Sequence, residues 1–543
     1  MRSTSRIVVL AMALGLVGSA IAAPARAASI TVNSLGDEPP ADDGSCTLRE
    51  AITAANTDMA SGASVGECIA GSGADAITFS VSGTITVNVL PAIESDLSIS
   101  GGGAVTFQGS CSALSIASGT VSLAGLTISG SMCFGPGPGG LGGDDGSGAG
   151  LFNAGTLTVT NSTFSGNFAT ASGGGIQNAG ALFVENSTIS GNGAAFGNGG
   201  GIDNGGVLTV TSSTISGNSA GFSIGRGGGI HNLGGTVTVT NSTVSGNSAD
   251  GGGGGIYNVA GTVTLTNSTI SGNPTGATGG GIVAAGSETL VNAIVAGNTA
   301  PLDPDVGLAT LETVTTSLIG VPAGKSLADI LDPAGLADNG GPTRTIALAL
   351  VAGNPAIDTG TAATCATDPV NSVDQRGLPR PAACDIGAYE AQPPSLAAHA
   401  DVFAVATTEA GALVSYIPPP GTDEQGGVAT VACMPASGST FAPGITTVTC
   451  TATDALGHTA TGTFQVIVSA PGLRPTTAPS PTASASLLPN TAATGGIGGV
   501  LSLPSILGLL FLIGLVALAK PIIRSRSPSR RETVTGALDR RRG

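Results

Sequence analysis

Six times the chain returns to Gly-Gly-Gly-Ile or a close variant. The apolar residue of that motif falls at Leu151, Ile176, Ile202, Ile230, Ile256 and Ile282, in steps of 25, 26, 28, 26 and 26 residues. Each return is followed by a short run such as TLTVTNSTFSGN, in which apolar residues alternate: Leu157 with Val159, Leu182 with Val184, Val237 with Val239. That is the period of a strand with one buried face. A unit so short cannot bury its own apolar face. Stacked as successive coils about 4.8 Å apart, such units share one continuous core. The repeat therefore predicts an all-β parallel β-helix, right-handed by the crossover rule for parallel strands.

Two columns sharpen this expectation. Phe164, Ile189, Ile215, Val244, Ile270 and Val295 recur at one place in the unit and read as core. Asn167, Asn192, Asn218, Asn247, Asn273 and Asn298 recur three residues later and predict an amide ladder between coils. Asn-Ser-Thr at Asn161, Asn186, Asn241 and Asn267 also fits a glycosylation sequon. Its fixed place in the repeat favours a structural corner. Gly triplets supply turns that need positive φ.

The chain is poor in charge and rich in Gly, 88 of 543 residues, without the strict three-residue period of collagen. Between Ala28 and Ala519 stand seven basic and 32 acidic residues, a net charge near −25. Such a body repels a phosphate backbone, so nucleic acid is excluded as a partner. The ends differ. Residues 1–27 carry Arg2 and Arg6, an uncharged apolar run and Ala25-Arg26-Ala27, and read as a secretory signal. Residues 497–519 hold no charge and are long enough for a transmembrane helix. The tail 520–543 holds eight basic residues, which places it in the cytoplasm. Residues 470–496 form a Pro-, Thr- and Ser-rich linker.

Within that linker, Leu488, Pro489, Asn490, Thr491 and Ala492 precede the apolar span and basic tail, an order that resembles a Gram-positive-type sortase sorting signal. The resemblance implies cleavage after Thr491 and coupling to wall peptidoglycan. The family usually has Gly where Ala492 stands, so membrane retention is the open alternative. CTLREAITAANT, from Cys46, resembles the CSLREA domain found before β-helix stacks of bacterial surface proteins. Thr47 and Glu50 there form a capping box for a short helix that would close the first coil. GGPTRTIALAL, NPAID and DQRGLPRPAACDIGAYE resemble the choice-of-anchor segment that ends such stacks. VACMPASGSTFAPGITTVTCTATDALGHTATGTFQVIV resembles the HYR (hyalin repeat) domain. It implies an immunoglobulin-like β-sandwich in which Cys433 and Cys450 pair. Proximity in the chain pairs the others as Cys46–Cys68, Cys111–Cys133 and Cys365–Cys384, in an exported protein that permits disulfides.

The expected order is a cap at 28–75, a β-helix at 76–300, C-terminal coils and a cap at 301–391, and the sandwich at 399–469. The function expected is non-enzymatic: adhesion or structural display at the cell surface, with the envelope as partner and a glycan or matrix ligand. No catalytic residue, cofactor or metal is assigned. Asp144 and Asp145 lack the later ligands of a calcium loop. One column is a candidate ligand stripe. The residue after each GGGI apolar position should point outward, giving Phe152, Gln177, Asp203, His231, Tyr257 and Val283, with Asp203 and His231 paired on adjacent coils. The alternative is a carbohydrate-active β-helix enzyme, a lyase or hydrolase. Glycoside hydrolysis by two carboxylates would need acids that these coils supply sparsely.

Overall fold

The computed structural model describes residues 27–135, 146–221, 224–308 and 311–470. The coils carry three parallel sheets, of 19, eight and five strands among these residues. One rung shows how the sequence makes them. Ile176–Asn178 is a short strand, Ala181–Glu185 a second, Thr188–Ser190 a third and Gly193–Ala194 a fourth. Each pairs in parallel with its counterpart one repeat on: Ile176 opposite Ile202, Leu182 opposite Leu208, Ile189 opposite Ile215, Ala194 opposite Ala220. Those side chains point inward and are almost wholly buried. Each large one contributes about 1.5–3 kcal/mol on burial, before chain entropy is counted.

The corner between the second and third strands needs a left-handed residue. Asn161, Asn186, Asn241 and Asn267 take φ of 48°, 48°, 45° and 44° there, and Ser212 takes the place at 47°. Asn tolerates this conformation because its short polar side chain bonds locally. The next residue, a Ser, receives the backbone N–H of the rung before: Ser162 N donates to Ser187 Oγ (3.1 Å) and Ser187 N to Ser213 Oγ (3.0 Å).

The first coils also stack in parallel, from Ser29–Val32 through Asp75–Phe79 and Leu97–Gly109 to Thr120–Ser129, with one register shift between Ser100 and Val105. The helix Leu48–Thr57 closes this end. Its capping box is complete, and Leu48, Ala51, Ile52 and Ala55 join the core of the coils. Arg49 ties it down through Asp37 (2.8 Å) and the Asn88 and Val89 carbonyls. All four disulfides form: Cys46–Cys68, Cys111–Cys133, Cys365–Cys384 and Cys433–Cys450.

The other end departs from expectation. Residues 301–391 were expected to add coils and then cap the stack. Strands Val306–Gly307, Thr313–Thr315 and Leu318–Ile319 do complete a last rung. From Leu327 the chain instead doubles back along the flank as a strap. Thr343 Oγ1 donates to Ser212 O (3.1 Å), Asn241 Nδ2 to Val373 O (3.0 Å), Ala388 N to Thr269 Oγ1 (3.0 Å) and Thr361 N to Asn292 Oδ1 (2.8 Å). Pro342, Pro355, Pro369, Pro379 and Pro381 remove donors that another parallel rung would require. The outward Thr and corner Asn of the coils offer the strap its partners.

A separate sheet follows. Its six strands run Ser395–Leu396, Gly421–Thr422, Val428–Met434, Gly444–Thr453, Thr459–Ser469 and Val402–Val405 in spatial order. A ribbon of Ala412–Val414 and Ser439–Phe441 packs against it over Val448, Phe464 and Val466. Cys433 and Cys450 are direct cross-strand partners within the large sheet. Loops at one end of this body meet the strap: Arg376 pairs with Glu424 (3.1 Å), and Gln425 Nε2 donates to Leu348 O (2.8 Å).

Candidate functional site

The column Phe152, Gln177, Asp203, His231, Tyr257, Val283 stands in direct register on successive coils. Asp203 Oδ1 lies 2.6 Å from His231 Nδ1. The His231 ring centre is 6.0 Å from that of Tyr257, and the Arg226 guanidinium lies 5.1 Å from the Tyr257 ring centre. The expectation of an exposed stripe needs correction. Phe152, Gln177 and Asp203 are half-buried, but His231 is 3 % exposed, Tyr257 8 % and Val283 not at all. The Gly triplets explain this. The loop before each strand folds back over the column, and a Cβ at Gly253 would stand 2.7 Å from Tyr257 Cβ. The column is therefore roofed at its C-terminal end. Chemically it offers one carboxylate bound to one imidazole, with a cation over a phenol ring. No group of three or more His, Cys, Asp or Glu among the described residues has metal-site geometry.

The six Asn of the inner column form a chain of side-chain bonds. Asn167 Nδ2 donates to Asn192 Oδ1 (2.9 Å), Asn192 to Asn218 (2.9 Å), Asn218 to Asn247 (2.8 Å), Asn247 to Asn273 (3.0 Å) and Asn273 to Asn298 (2.8 Å). Asn298 ends the series on Asp305 Oδ1 (2.9 Å). A second ladder escaped the sequence reading. Asn153, Asn178, Asn204, Asn232 and Asn258 bond in the same way at 2.7–2.8 Å, and Asn258 ends on Glu288 Oε1 (2.7 Å). Glu288 occupies the core position opposite Val263, so burial raises its carboxyl pKa against the opposing hydrogen bond from Asn258. These Asn were visible as a column two residues after the GGGI apolar position.

Of the sequon residues, Asn161 is exposed and Asn186 half-buried, whereas Asn241 and Asn267 lie sealed beneath the strap. The two sealed sites have no room for a glycan.

Among the described residues the strap holds a dense cluster of buried charges, inside the segment DQRGLPRPAACDIGAYE. Arg380 is fully buried; its Nη1 donates to Glu390 Oε2 (2.7 Å) and its Nη2 to Gly387 O (2.6 Å). Arg376 Nε donates to Asp374 Oδ2 (2.8 Å), and its guanidinium lies 3.6 Å from the Tyr389 ring centre. Asp385 takes N–H bonds from Asp358 and Ala391, both 2.7 Å. Burial pushes the Glu390 carboxyl up to about 8, with Asp385 adding to the rise and Arg380 opposing it. Burial also pushes Asp385 up to about 6, against its N–H donors and Arg380.

The secretory segment before Ala27, Asp144 and Asp145, the Leu488–Ala492 motif and the 497–519 apolar span all lie outside the described residues. No helix among the described residues is long and apolar enough to cross a membrane. Two family models match the chain: residues 105–300 match a right handed beta helix region, and residues 390–468 match the HYR domain. No curated protein and no solved structure matches it.

Proposed function

We propose that the protein is a non-enzymatic surface protein that displays its acidic β-helix from the cell envelope, in an adhesive or structural role. The observation that carries this is the buried joint at Arg376. That one side chain meets Asp374 of the strap and Glu424 of the HYR region, while the strap is bonded along the coil flank. Coils, strap and HYR sheet are thus braced against one another, which suits a module that presents a surface under load. The secretory segment, the apolar span and the LPNTA motif supply the route out and the anchor, by membrane retention or sortase coupling. The HYR region is read as an immunoglobulin-like spacer, a fold-level analogy.

The test is a screen of residues 28–470 against arrayed glycans and matrix proteins, with the same glycans assayed for cleavage. Binding without cleavage is the expected result. Turnover of any glycan would overturn it. The Asp203–His231 pair favours the enzyme alternative, so Asp203→Ala is the companion measurement. It should leave ligand binding unchanged; loss of a measured turnover would assign the pair to catalysis.

A further inference from the structure

The strap does not lie flush on the coils everywhere. Between its turn at Gly341–Arg344 and the flank is a cleft of about 340 Å³, within the range of small-ligand sites. Thr188, Ser190 and Ser216 form its floor; Asp338 and Arg344 stand at its wall. The floor residues are the outward positions of successive rungs, Thr188 opposite Thr214 and Ser190 opposite Ser216. They are half-exposed, and their hydroxyls have no partner among the described residues.

Arg344 is singular. Six basic residues lie among the described residues. Arg49 pairs with Asp37, Arg376 and Arg380 with buried acids, Lys325 with the Gly353 carbonyl, and Arg226 with the Tyr257 ring. The exposed Arg344 guanidinium has no ion-pair, hydrogen-bond or ring partner among the described residues. In a body with a net charge near −25, leaving one cation unpaired beside a cleft is conspicuous. Its backbone, by contrast, is pinned: Arg344 O accepts from Thr214 Oγ1 and from Gln375 Nε2 (3.1 Å), and Gln375 also donates to Thr343 Oγ1 (2.9 Å). The fork is free on a fixed base, the arrangement that binding requires.

We propose that this cleft binds a sparsely carboxylated polysaccharide, with Arg344 on a carboxylate and the Ser and Thr hydroxyls on sugar hydroxyls. This deepens the adhesive reading and rests on it. Guanidinium matches a carboxylate in a bidentate fork. Hydroxyls both donate and accept, as sugar hydroxyls do. A densely charged polyanion would be repelled by the acidic body around a single cation. The strap's bonds to the coil flank start at Ser212, and ahead of it the same ranks continue through Thr163 and Ser165 to Thr127 and Ser129. A linear chain can leave the cleft along this hydroxyl track, one rung every 4.8 Å or so.

The test is binding by the full chain, purified in detergent, to hyaluronan oligosaccharides, which carry one carboxylate per disaccharide. Dextran, heparin and poly-glutamate serve as comparators. Hyaluronan should bind in preference to all three and weaken with added salt. Arg344→Ala should lose about tenfold or more with unchanged melting temperature, and Arg344→Lys should fall between. Ser190→Val with Ser216→Val should lose a few-fold. Equal affinity of Arg344→Ala and the unaltered chain, or preference for heparin or poly-glutamate, would overturn the site. If glycans bind but Arg344→Ala is silent, only this site fails. If no glycan binds at all, glycan adhesion falls with it.

Discussion

The coil interior and the strap solve one problem in two ways. Both bury polar groups that must be satisfied. The coils do it with neutral amides repeated every rung, so that Asn192, Asn218 and Asn247 have the same partners one step apart. The strap does it with ions used once, around Arg376 and Arg380. Repetition favours a group that is both donor and acceptor, because the same residue must fit the rung above and the rung below. A segment that repeats nothing can commit donors and acceptors to separate residues. Charge enters these two ladders only where their repetition stops, at Asp305 and Glu288.

The largest expected effect would break the strap. Arg380→Met removes the donor from Glu390 and from the Val373, Asp385 and Gly387 carbonyls, at about 1–3 kcal/mol for each buried acceptor left unsatisfied. Hydrogen exchange should show opening over residues 370–391, with the rungs near Asn192 unchanged. Uniform loss of protection in both regions would mean that coil and strap are not separable. Next is the ladder itself. Asn218→Ala orphans the Asn192 amide and the Ile189 carbonyl. A loss of about 1–3 kcal/mol for each orphaned group should follow, read as a lower melting temperature.

The third prediction separates the regions by pH. Glu390 at about 8 and Asp385 at about 6 sit above their ordinary 4.5 and 3.8, so the folded strap holds protons that the unfolded chain has released. The stability these two protons contribute is therefore full below about pH 4 and is lost as pH rises, the loss complete above about pH 8. After correction for intrinsic exchange, strap amides should lose protection over that window while mid-stack rungs do not. The smallest effect sharpens the coil side. At Asn161, φ 48°, Val should cost about 1–2 kcal/mol and Gly only a few tenths. Equal costs would remove backbone conformation as the reason for that Asn.

This contrast also explains what could be read ahead of the structure. The coils were legible because every rung restates the same alternation, and the end helix because Thr47 and Glu50 are a local signal. All four cysteine pairs were close in the chain, at separations of 17–22 residues. The strap's path was not legible. Its partners lie far off in the chain, as when Gln375 reaches Ser213 across 162 residues, and no local pattern encodes that contact. The roof over His231 and Tyr257 was hidden for a related reason. Alternation tells which way a side chain leaves the coil, but not what a Gly-rich loop then does above it.

The strap has one further consequence, for how such a chain can change length. It is attached at Ser212 and again at Asn292, and the span between those anchors is a fixed number of rungs. Inserting or deleting a repeat there would pull the anchors out of step with a strap that has no spare repeat to match. Ahead of Ser212 no strap bond sets such a ruler among the described residues. A unit added around Thr163 or Thr188 meets identical ladders above and below. Variation in copy number is therefore expected to fall in the N-terminal rungs, while the strapped segment keeps its count.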